Sequence, residues 1–508
     1  MNGDGVSFLV AAVILLGALA FNYLRRKQTY WQRLGIPSGQ GSRFLVGNAA
    51  GLGNTKQSSD ILDPLYYEFK RQGLKCGGIV FFIEPEILVV DPDLVKTILV
   101  KDFNKFHDRG VYVNPEGDPL SGGLFALSGN DWRMMRQKLT PVFTSGKLKL
   151  MFSTMVNVAD RMRVFLQNSK TLAEIEIRDL TSRYTVDVIG NVVFGIECNS
   201  LKNTDSDFSV MGKKALQFDT MQMIKFFIGG HLNSFAKTIS MRMFPMDVSN
   251  FFMNLTRESV DFRKTTNLTS NDILTQFMQI KGKTNNGTTA DCVVGGMTLN
   301  ELAAQSFQFF TAGFETSSAT MTFCIYELAL NIDIQDRLRE EIKSVYAEGK
   351  QKLSYESIQS MQYLNKVVDE TLRKYPPVDN LIRISNCPFQ IPETDFLVPA
   401  NTLFRIPVFS IQRDPDHYPD PERFDTDRFE SEKVGSRNPY LFLPFGEGPR
   451  NCIGLRFGLL QTKVGLVTLL QHFRFSAEAR TPMKMEFDPK GILLRPKSAL
   501  YLKIEPIN

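Results

Sequence analysis

Cysteine pairs are missing from this sequence of 508 residues. The six cysteines stand singly and form no Cys-x-x-Cys motif: Cys76, Cys198, Cys292, Cys324, Cys387 and Cys452. Their isolation argues against a disulfide framework and against a structural zinc site. This cysteine usage suits a chain that faces a reducing compartment such as the cytosol.

A strong charge of either sign is also missing. The chain has 59 Lys and Arg against 54 Asp and Glu, a net charge of +5, and no basic stripe interleaved with aromatic residues. This balance argues against nucleic acid as a partner. The 4 histidines lie in no pattern typical of metal ligands: His107, His231, His417 and His472.

Tryptophan is scarce, at 2 residues, whereas phenylalanine is abundant, at 40. Phenylalanine supplies ring area without a polar group. That property suits a thick apolar interior, and it equally suits a pocket for an apolar ligand.

One long apolar run lies at the start of the chain. Val6–Leu24 is almost entirely apolar over 19 positions, a length that spans a bilayer. The basic cluster Arg25–Lys27 follows it, so the positive-inside rule leaves the rest of the chain in the cytosol. A cleaved signal peptide is the alternative, because Ala18–Ala20 resembles a cleavage site, but its positive charges would precede the run. We expect residues 1–28 to form an uncleaved signal anchor.

Three Asn-x-Thr sequons test this topology, at Asn254, Asn267 and Asn286. Such sites receive glycans only in the secretory lumen. We expect all three to carry no glycan, because the domain stays in the cytosol.

The remaining chain reads as one large unit. Residues 29–48 are expected to be a short polar linker, and residues 49–508 a single domain. Helical periods dominate from Lys147 to about Asp369. Strand-like alternation occurs at Gly77–Val90, at Leu381–Pro407 and at the C-terminal end. The sequence predicts a mainly α fold with small β-sheets.

The longest predicted helix runs from Leu299 to Ala329. Thr298 and Glu301 form a capping box at its start. Apolar residues lie on nearly all its faces, which predicts a helix buried through the centre of the domain. Gly313 in its middle costs about 1 kcal/mol relative to alanine. It indicates either a tolerated kink or a notch where a small molecule meets the backbone.

The loop Pro444–Gly454 places Cys452 among glycines and close to Arg450. The loop does not match a phosphate-binding G-x-G-x-x-G motif, because Asn451 occupies the position of the last glycine. A redox thiol is favoured by the helix that follows and by Arg450, but no resolving cysteine lies nearby. A metal ligand remains, since one thiolate can hold haem iron while glycines let the porphyrin approach.

These residues resemble a known family. Phe445, Gly448, Arg450, Cys452 and Gly454 match F-x-x-G-x-R-x-C-x-G, the haem-binding signature of the cytochrome P-450 monooxygenases. Four further segments resemble family motifs in the family's order: Trp132–Arg136, Ala312–Thr316, Glu370–Arg373 and Pro421–Phe424. The resemblance covers nearly the whole chain and is greatest to the microsomal, xenobiotic-metabolising branch of arthropods, including insect family 6. It implies the cytochrome P-450 fold, mainly α with small sheets.

The resemblance implies haem b as the cofactor and a site around it. Cys452 is the expected axial ligand of the iron, and Thr316 and Glu315 are the expected catalytic residues that deliver protons for O2 cleavage. The other residues expected to contact the haem, mainly at its propionates, are Arg109, Trp132, Arg136, Arg383, Phe445 and Arg450.

The resemblance also implies a structural network and a substrate pocket. Glu370 and Arg373 are expected to meet Arg423 in a structural ion network beneath the haem. The expected pocket residues are Phe125, Phe310, Ala312, Thr316, Val378, Leu381 and Ile492.

The implied reaction inserts one atom of O2 into an apolar substrate. The chain has no flavin or nicotinamide fingerprint, so electrons are expected from an NADPH-cytochrome reductase, with cytochrome b5 as a further donor. A basic docking face is expected at Arg133, Lys138, Lys147 and Lys149. The family resemblance implies the endoplasmic reticulum (microsomal) membrane, with the domain on its cytosolic face, and Met223–Pro245 is expected to contact membrane lipid.

Two other functions fit the cysteine loop. One is a haem-thiolate isomerase or dehydratase that needs neither O2 nor a reductase. The other is a membrane-anchored haem carrier without turnover. The Glu315–Thr316 pair favours the monooxygenase over both.

Overall fold

The fold is mainly helical. A computed structural model describes residues 3–217, 220–231, 233–266, 270–280, 293–294, 296–347 and 353–507. The α-helices, numbered in chain order, are α1 (Gly3–Gln28), α2 (Tyr30–Arg33), α3 (Ser58–Arg71), α4 (Pro92–Lys96), α5 (Gly129–Leu139), α6 (Ser145–Gln167), α7 (Ile177–Phe194), α8 (Asp207–Ala215), α9 (Thr220–His231), α10 (Asn233–Thr238), α11 (Met246–Thr266), α12 (Ile273–Met278), α13 (Leu299–Leu330), α14 (Ile332–Ala347), α15 (Tyr355–Ser360), α16 (Gln362–Lys374), α17 (Val408–Gln412), α18 (Ser431–Ser436) and α19 (Leu455–His472).

The strands form one four-stranded sheet and small two-stranded sheets. They are β1 (Cys76–Phe81), β2 (Glu84–Val89), β3 (Val293–Val294), β4 (Met297–Thr298), β5 (Leu381–Ile384), β6 (Phe389–Gln390), β7 (Leu397–Val398), β8 (Leu403–Ile406), β9 (Phe473–Ser476) and β10 (Lys503–Pro506). The larger sheet has the order β1-β2-β8-β5, in which only β2 and β8 run parallel. The three strand regions predicted from the sequence are confirmed.

The central helix α13 confirms the predicted Leu299–Ala329 to within one residue. Glu301 N–H donates to Thr298 Oγ1 at 3.1 Å, and Thr298 N–H donates to Glu301 Oε2 at 2.7 Å, which is the predicted capping box. The helix is buried along most of its length between α7 and α19.

Gly313 has a packing reason that the sequence did not reveal. A Cβ on this glycine would stand 2.6 Å from Cδ1 of Ile189 on α7. That separation is far below a van der Waals contact, so α7 approaches α13 only because residue 313 has no side chain. The helix continues through this position as regular α-helix.

The N-terminal helix α1 contains the apolar run Ser7–Gln28, which is long and apolar enough to cross a membrane and is not buried by the rest of the chain. The expected linker after it packs against the sheet. Trp31 is buried, and its indole N–H donates to Ile79 O at 2.9 Å. Gly78 exchanges hydrogen bonds with Pro37 O at 2.7 Å and Gly39 N at 2.9 Å. Trp31, Pro37 and Gly39 of the expected linker 29–48 therefore contact the sheet, and the linker boundaries stay a prediction.

Candidate active site

The cysteine loop is held in a fixed path just before α19. Gly446 and Gly448 have φ angles of +67° and +75°, which L side chains rarely adopt. A Cβ on Gly448 would lie 2.1 Å from the carbonyl oxygen of Leu99, so only glycine fits there. Cys452 N–H donates to Phe445 O at 2.9 Å and closes the loop. The loop therefore presents Cys452 from a rigid turn.

A cavity of about 170 Å³ lies between this loop and the middle of α13. Cys452 and Phe445 line it from the loop, and Ala312, Gly313 and Thr316 line it from α13. The cavity thus brings together the two segments that the sequence singled out, although many residues separate them in the chain.

Opposing effects act on the Cys452 thiol. Its enclosure by the domain raises its pKa, although the side chain is exposed to the cavity, whereas a hydrogen bond from Gly454 N–H and the positive charges of Arg136 and Arg109 lower it. The net direction is upward. The free thiol is therefore favoured in the protein alone, and Arg136 and Arg109 reduce the cost of forming the thiolate that a metal ion would bind.

Four arginines converge near one edge of the cavity: Arg109, Arg136, Arg383 and Arg450. Burial lowers the pKa of each, and like charges add to the effect at Arg109, Arg383 and Arg450. The pKa values of Arg383 and Arg450 fall to about 10. Within the described ranges, the only ion pair that these four arginines make is the one between Arg450 and Asp108, at 3.4 Å. The cluster therefore holds unbalanced positive charge.

Hydrogen bonds within the protein set the direction of these arginines. Arg136 donates to Asn451 O at 2.8 Å and to Asn451 Oδ1 at 3.0 Å, which connects α5 to the cysteine loop. Arg450 donates to the carbonyl oxygens of His107, Phe125 and Leu127. These contacts leave the cationic side of the cluster at the cavity.

Trp132 lies beside the same cluster. It is buried on α5, lines the cavity and lies under the guanidinium of Arg450, with 4.7 Å between Arg450 Cζ and the ring centroid. This cation–π contact packs the indole against Arg450, the arginine that is predicted to bind the haem propionates together with Trp132.

These residues fit a haem with two propionates. The buried Nε atoms of Arg383 and Arg450 have no hydrogen-bond partner in the described part of the chain. Buried guanidinium groups that outnumber carboxylates and keep unpartnered Nε atoms suit anionic ligands, since buried charges are normally paired. Cys452 supplies the soft donor that haem iron accepts.

Thr316 and Glu315 face different neighbours. Thr316 lines the cavity, and its hydroxyl donates to Ala312 O in the preceding turn of α13 at 2.6 Å. Glu315 is buried and pairs with Arg178 of α7 at 2.9 Å between Oε1 and Nη2. The predicted pair is therefore adjacent in the chain, but only its threonine lines the cavity.

Comparison with known proteins decides the family. The family model described as "Cytochrome P450" matches residues 37–503. The chain belongs to the cytochrome P450 family. It is 40% identical over 513 residues to cytochrome P450 6A1 of Musca domestica, with 99% of each chain covered. It is also 40% identical over 507 residues to cytochrome P450 6a2 of Drosophila melanogaster, with 98% of this chain and 99% of that protein covered.

Membership of the cytochrome P450 family makes this chain a haem-iron monooxygenase that acts on an organic substrate with molecular oxygen. The mainly helical fold agrees with that assignment. The predictions of the family, the fold class and the enzyme class are therefore confirmed.

The structure corrects one member of the predicted ion network. Glu370 and Arg373 form a fully buried bidentate pair, at 2.7 and 2.8 Å. Arg423 does not complete it, because this side chain is exposed. The buried Arg428 lies 3.5 Å from Glu370 instead, on a 3₁₀ turn, Thr426–Phe429, that packs against α16. The prediction of Arg423 was wrong, and Arg428 is the residue in contact with Glu370.

One predicted pocket residue was wrong by one helical position. Phe310 is fully buried among the rings of Phe194, Phe208 and Phe252. Phe309 lines the cavity in its place. Successive residues on a helix point about 100° apart, so a shift of one position moves the ring to another face.

The other pocket predictions divide into two groups. Phe125 and Ala312 line the cavity, as does Thr316. Val378, Leu381 and Ile492 are not among its lining residues and stay predictions. Sequence reasoning missed several residues that do line it: Leu124, Phe143, Gln308, Asn451 and Ser317. Asn451 had a signal, because it adjoins Cys452, whereas Phe143 had none.

Proposed function

We propose that this cytochrome P450 hydroxylates apolar organic compounds of foreign or lipid-like origin, with electrons from NADPH through a separate reductase. The observation that carries the proposal is the single cavity that Cys452 and Thr316 share at its two walls, with Arg109, Arg136 and Arg450 on its lining. A thiolate donor, a hydroxyl and cations for carboxylates are the groups that a haem monooxygenase needs.

Cys452 would ligate the iron of a bound haem b, and Phe445 lines the same cavity. Arg109, Arg136, Arg383 and Arg450, together with the Trp132 indole N–H, are proposed to bind the two propionates. When bound, a thiolate-ligated haem supplies oxygen activation and transfer of one oxygen atom to a C–H bond.

Thr316 and Glu315 are proposed to manage protons. Thr316 Oγ1 is held at the cavity by its bond to Ala312 O, and it is proposed to pass a proton into that cavity. Glu315 holds its carboxylate against Arg178, whose side chain is 33% exposed. This pair connects the buried turn of α13 to bulk water, so the proton proposed for Thr316 enters from that side.

The proposed electron donor is an NADPH-cytochrome reductase, with cytochrome b5 as a further donor. Of the predicted docking residues, Arg133 is exposed on α5, the helix whose Arg136 contacts the loop that carries Cys452. Lys138 donates to Gly296 O at 3.0 Å, and Lys149 pairs with Glu356 at 2.5 Å. Lys147 and the exposed Arg456 extend the basic face. A docking face of this kind loses strength as salt screens it.

A membrane location on the cytosolic side of the endoplasmic reticulum is proposed from two features. The helix α1 is long and apolar enough to span a bilayer. Exposed apolar side chains on and after α9 and α10 suit contact with lipid: Met221, Ile224, Phe235 and Ile239. Asn254 lies on α11 and should carry no glycan, as should Asn267 and Asn286, which lie outside the described residues.

The test is a reduced, carbon-monoxide difference spectrum of the membrane-expressed protein beside Cys452→Ala. A strongly red-shifted Soret band in the wild type alone supports thiolate ligation by Cys452. Product formation from an apolar probe should then require NADPH, O2 and added reductase together. Turnover without reductase or O2 would contradict the monooxygenase cycle proposed here and favour the isomerase or dehydratase.

A further inference from the structure

The side chain of Gln305 joins the central helix to the backbone of a neighbouring loop. Its Nε2 donates to Gly122 O at 2.9 Å, and its Oε1 accepts from Leu124 N–H at 2.9 Å. Gln305 is fully buried. Because both bonds go to backbone atoms, the amide fixes the path of the chain from Gly122 to Leu124 whatever its side chains are.

The same loop touches α13 at a second point. A Cβ on Gly123 would stand 2.6 Å from Gln308 Oε1 and 3.2 Å from Gln308 Cβ. Gln308 is one helical turn beyond Gln305 and lines the haem cavity. Two glutamines on one face of α13 therefore hold successive residues of the loop in direct contact with the helix.

The loop delivers two side chains to the cavity directly after this attachment. Leu124 and Phe125 both line the cavity. Phe125 O accepts from Arg109 Nη1 at 3.0 Å and from Arg450 Nη2 at 3.3 Å, and the Phe125 ring lies 4.1 Å from Arg109 Cζ. Phe125 is thus fixed by Gln305 on its N-terminal side and by the arginine cluster at its own carbonyl.

We propose that Gln305 is a positioning residue that sets the place of Leu124 and Phe125 in the cavity, and thereby sets which apolar ligands the cavity admits. Gln305 acts through the loop backbone and contacts neither haem nor substrate. Without its amide, Gly122 O and Leu124 N would lose their partner in a buried position, and the loop would shift to satisfy them. The inference rests on the proposed function, since it takes an apolar ligand to occupy this cavity.

The chain offers a matched control in Gln335 on α14. This glutamine is also fully buried, and its amide donates to Leu328 O at 2.8 Å and to Phe475 O at 2.7 Å. Its Oε1 accepts from Phe475 N at 2.9 Å. It makes the same kind of backbone contact but is not among the lining residues of the cavity. Gln335→Leu therefore removes a comparable buried amide at a site where ligand selection should not change.

The experiment titrates the full-length, haem-loaded wild type, Gln305→Leu and Gln335→Leu with imidazole and with 4-phenylimidazole, followed by the optical spectrum. Both probes offer the same ring nitrogen, but only 4-phenylimidazole adds a phenyl group that must fit within the cavity lined by Leu124 and Phe125. We expect Gln305→Leu to change the ratio of the two Kd values by roughly tenfold, and Gln335→Leu to keep the wild-type ratio. Hydrogen exchange at the Leu124 amide should accelerate only in Gln305→Leu.

A second variant keeps the inference testable if Gln305→Leu does not fold. Gly123→Ala leaves the Gln305 amide intact but forces either the loop or the cavity-lining Gln308 side chain to shift, so it should change the same ratio. An unchanged ratio in the variants that fold would overturn the inference, as would an equal change in Gln335→Leu. A wild type that loads haem but binds neither azole would instead contradict the proposed function, and so the two failures are distinguishable.

Discussion

The carboxylate of Asp108 forms an ion pair with the buried guanidinium of Arg450, with 3.4 Å between Oδ1 and Nη1. Oδ1 also accepts from Gly129 N at 2.8 Å, at the start of α5, and lies 2.7 Å from His107 Nδ1. A single carboxylate therefore connects the arginine cluster to the helix that carries Trp132 and Arg136.

We expect Asp108→Asn to lower the free energy of unfolding by about 1–3 kcal/mol, because Arg450 loses its charged partner while staying buried. Urea denaturation of the haem-loaded protein, followed by circular dichroism, measures this change. Asp102→Asn is the control, because Asp102 pairs with the exposed Lys105 at 3.3 Å and such pairs contribute little. Equal effects of both substitutions would show that the buried position of Arg450 does not matter.

Substitutions of Arg423 and Arg428, which each precede a phenylalanine, should have very different effects on stability and haem loading. Arg428→Ala removes a cation from the buried Glu370 and is expected to cost about 3–5 kcal/mol or to prevent haem loading. Arg423→Ala changes only an exposed side chain and should leave both properties as in the wild type. The yield of haem-loaded protein and its urea midpoint test this. A larger loss of stability or haem loading in Arg423→Ala than in Arg428→Ala would contradict the assignment of Arg428 to the ion network.

Structural features that depend on residues close together in the chain could be predicted from the sequence. The capping box of Thr298 and Glu301 depends only on a four-residue pattern. The cysteine loop could also be recognised from the sequence, because its motif consists of the spacing of Gly448, Arg450 and Cys452 within one short segment. Such features need no knowledge of the tertiary fold.

Tertiary contacts were harder to predict. Phe309 and Phe310 stand on a helix that is apolar nearly all round, so no periodicity tells which ring faces the cavity. Arg423 and Arg428 each precede a phenylalanine, and only the packing of the 3₁₀ turn against α16 selects Arg428. Gly313 likewise needs the position of Ile189 on another helix.

Substitutions of the two left-handed glycines of the cysteine loop should have different effects on haem loading. In Gly448→Ala the new Cβ would meet Leu99 O at 2.1 Å, so the loop must open and haem loading should fail. In Gly446→Ala the nearest atom lies at 3.7 Å, and only the backbone strain of about 1 kcal/mol remains. The carbon-monoxide spectrum compares the two. Normal haem loading in Gly448→Ala would refute the close approach to Leu99.

Asp369 on α16 predicts a pH dependence of stability. Burial raises its pKa to about 6, although the charge of Lys463 lowers it. The folded state therefore holds a proton that the unfolded state loses from about pH 4, so stability should fall as the pH rises from 4 to 6, by on the order of 2–3 kcal/mol. Urea unfolding of the wild type across this range measures the fall. Asp369→Asn should remove that part of the slope, and Asp131→Asn, at an exposed position, should keep it.

Substitution of Thr316 should impair proton delivery and thereby uncouple NADPH consumption from product formation. Its hydroxyl is held at the cavity by the bond to Ala312 O. In Thr316→Ala, haem should load normally, because the threonine is on α13 and not in the cysteine loop. Product per NADPH should nevertheless fall by about 10-fold or more, the loss expected when a positioned proton donor is removed, with peroxide accounting for the difference.

The control is Thr311→Ala, because Thr311 makes the same kind of bond, to Phe307 O at 3.0 Å, but is not among the cavity-lining residues. NADPH consumption, peroxide and product are measured together with added reductase and an apolar probe. Full coupling in Thr316→Ala would exclude the proton role, because the threonine would then only shape the helix. Equal uncoupling in both variants would indicate a general loosening of α13. Uncoupling confined to Thr316→Ala ties proton delivery to the one threonine hydroxyl on this helix that is held at the cavity wall.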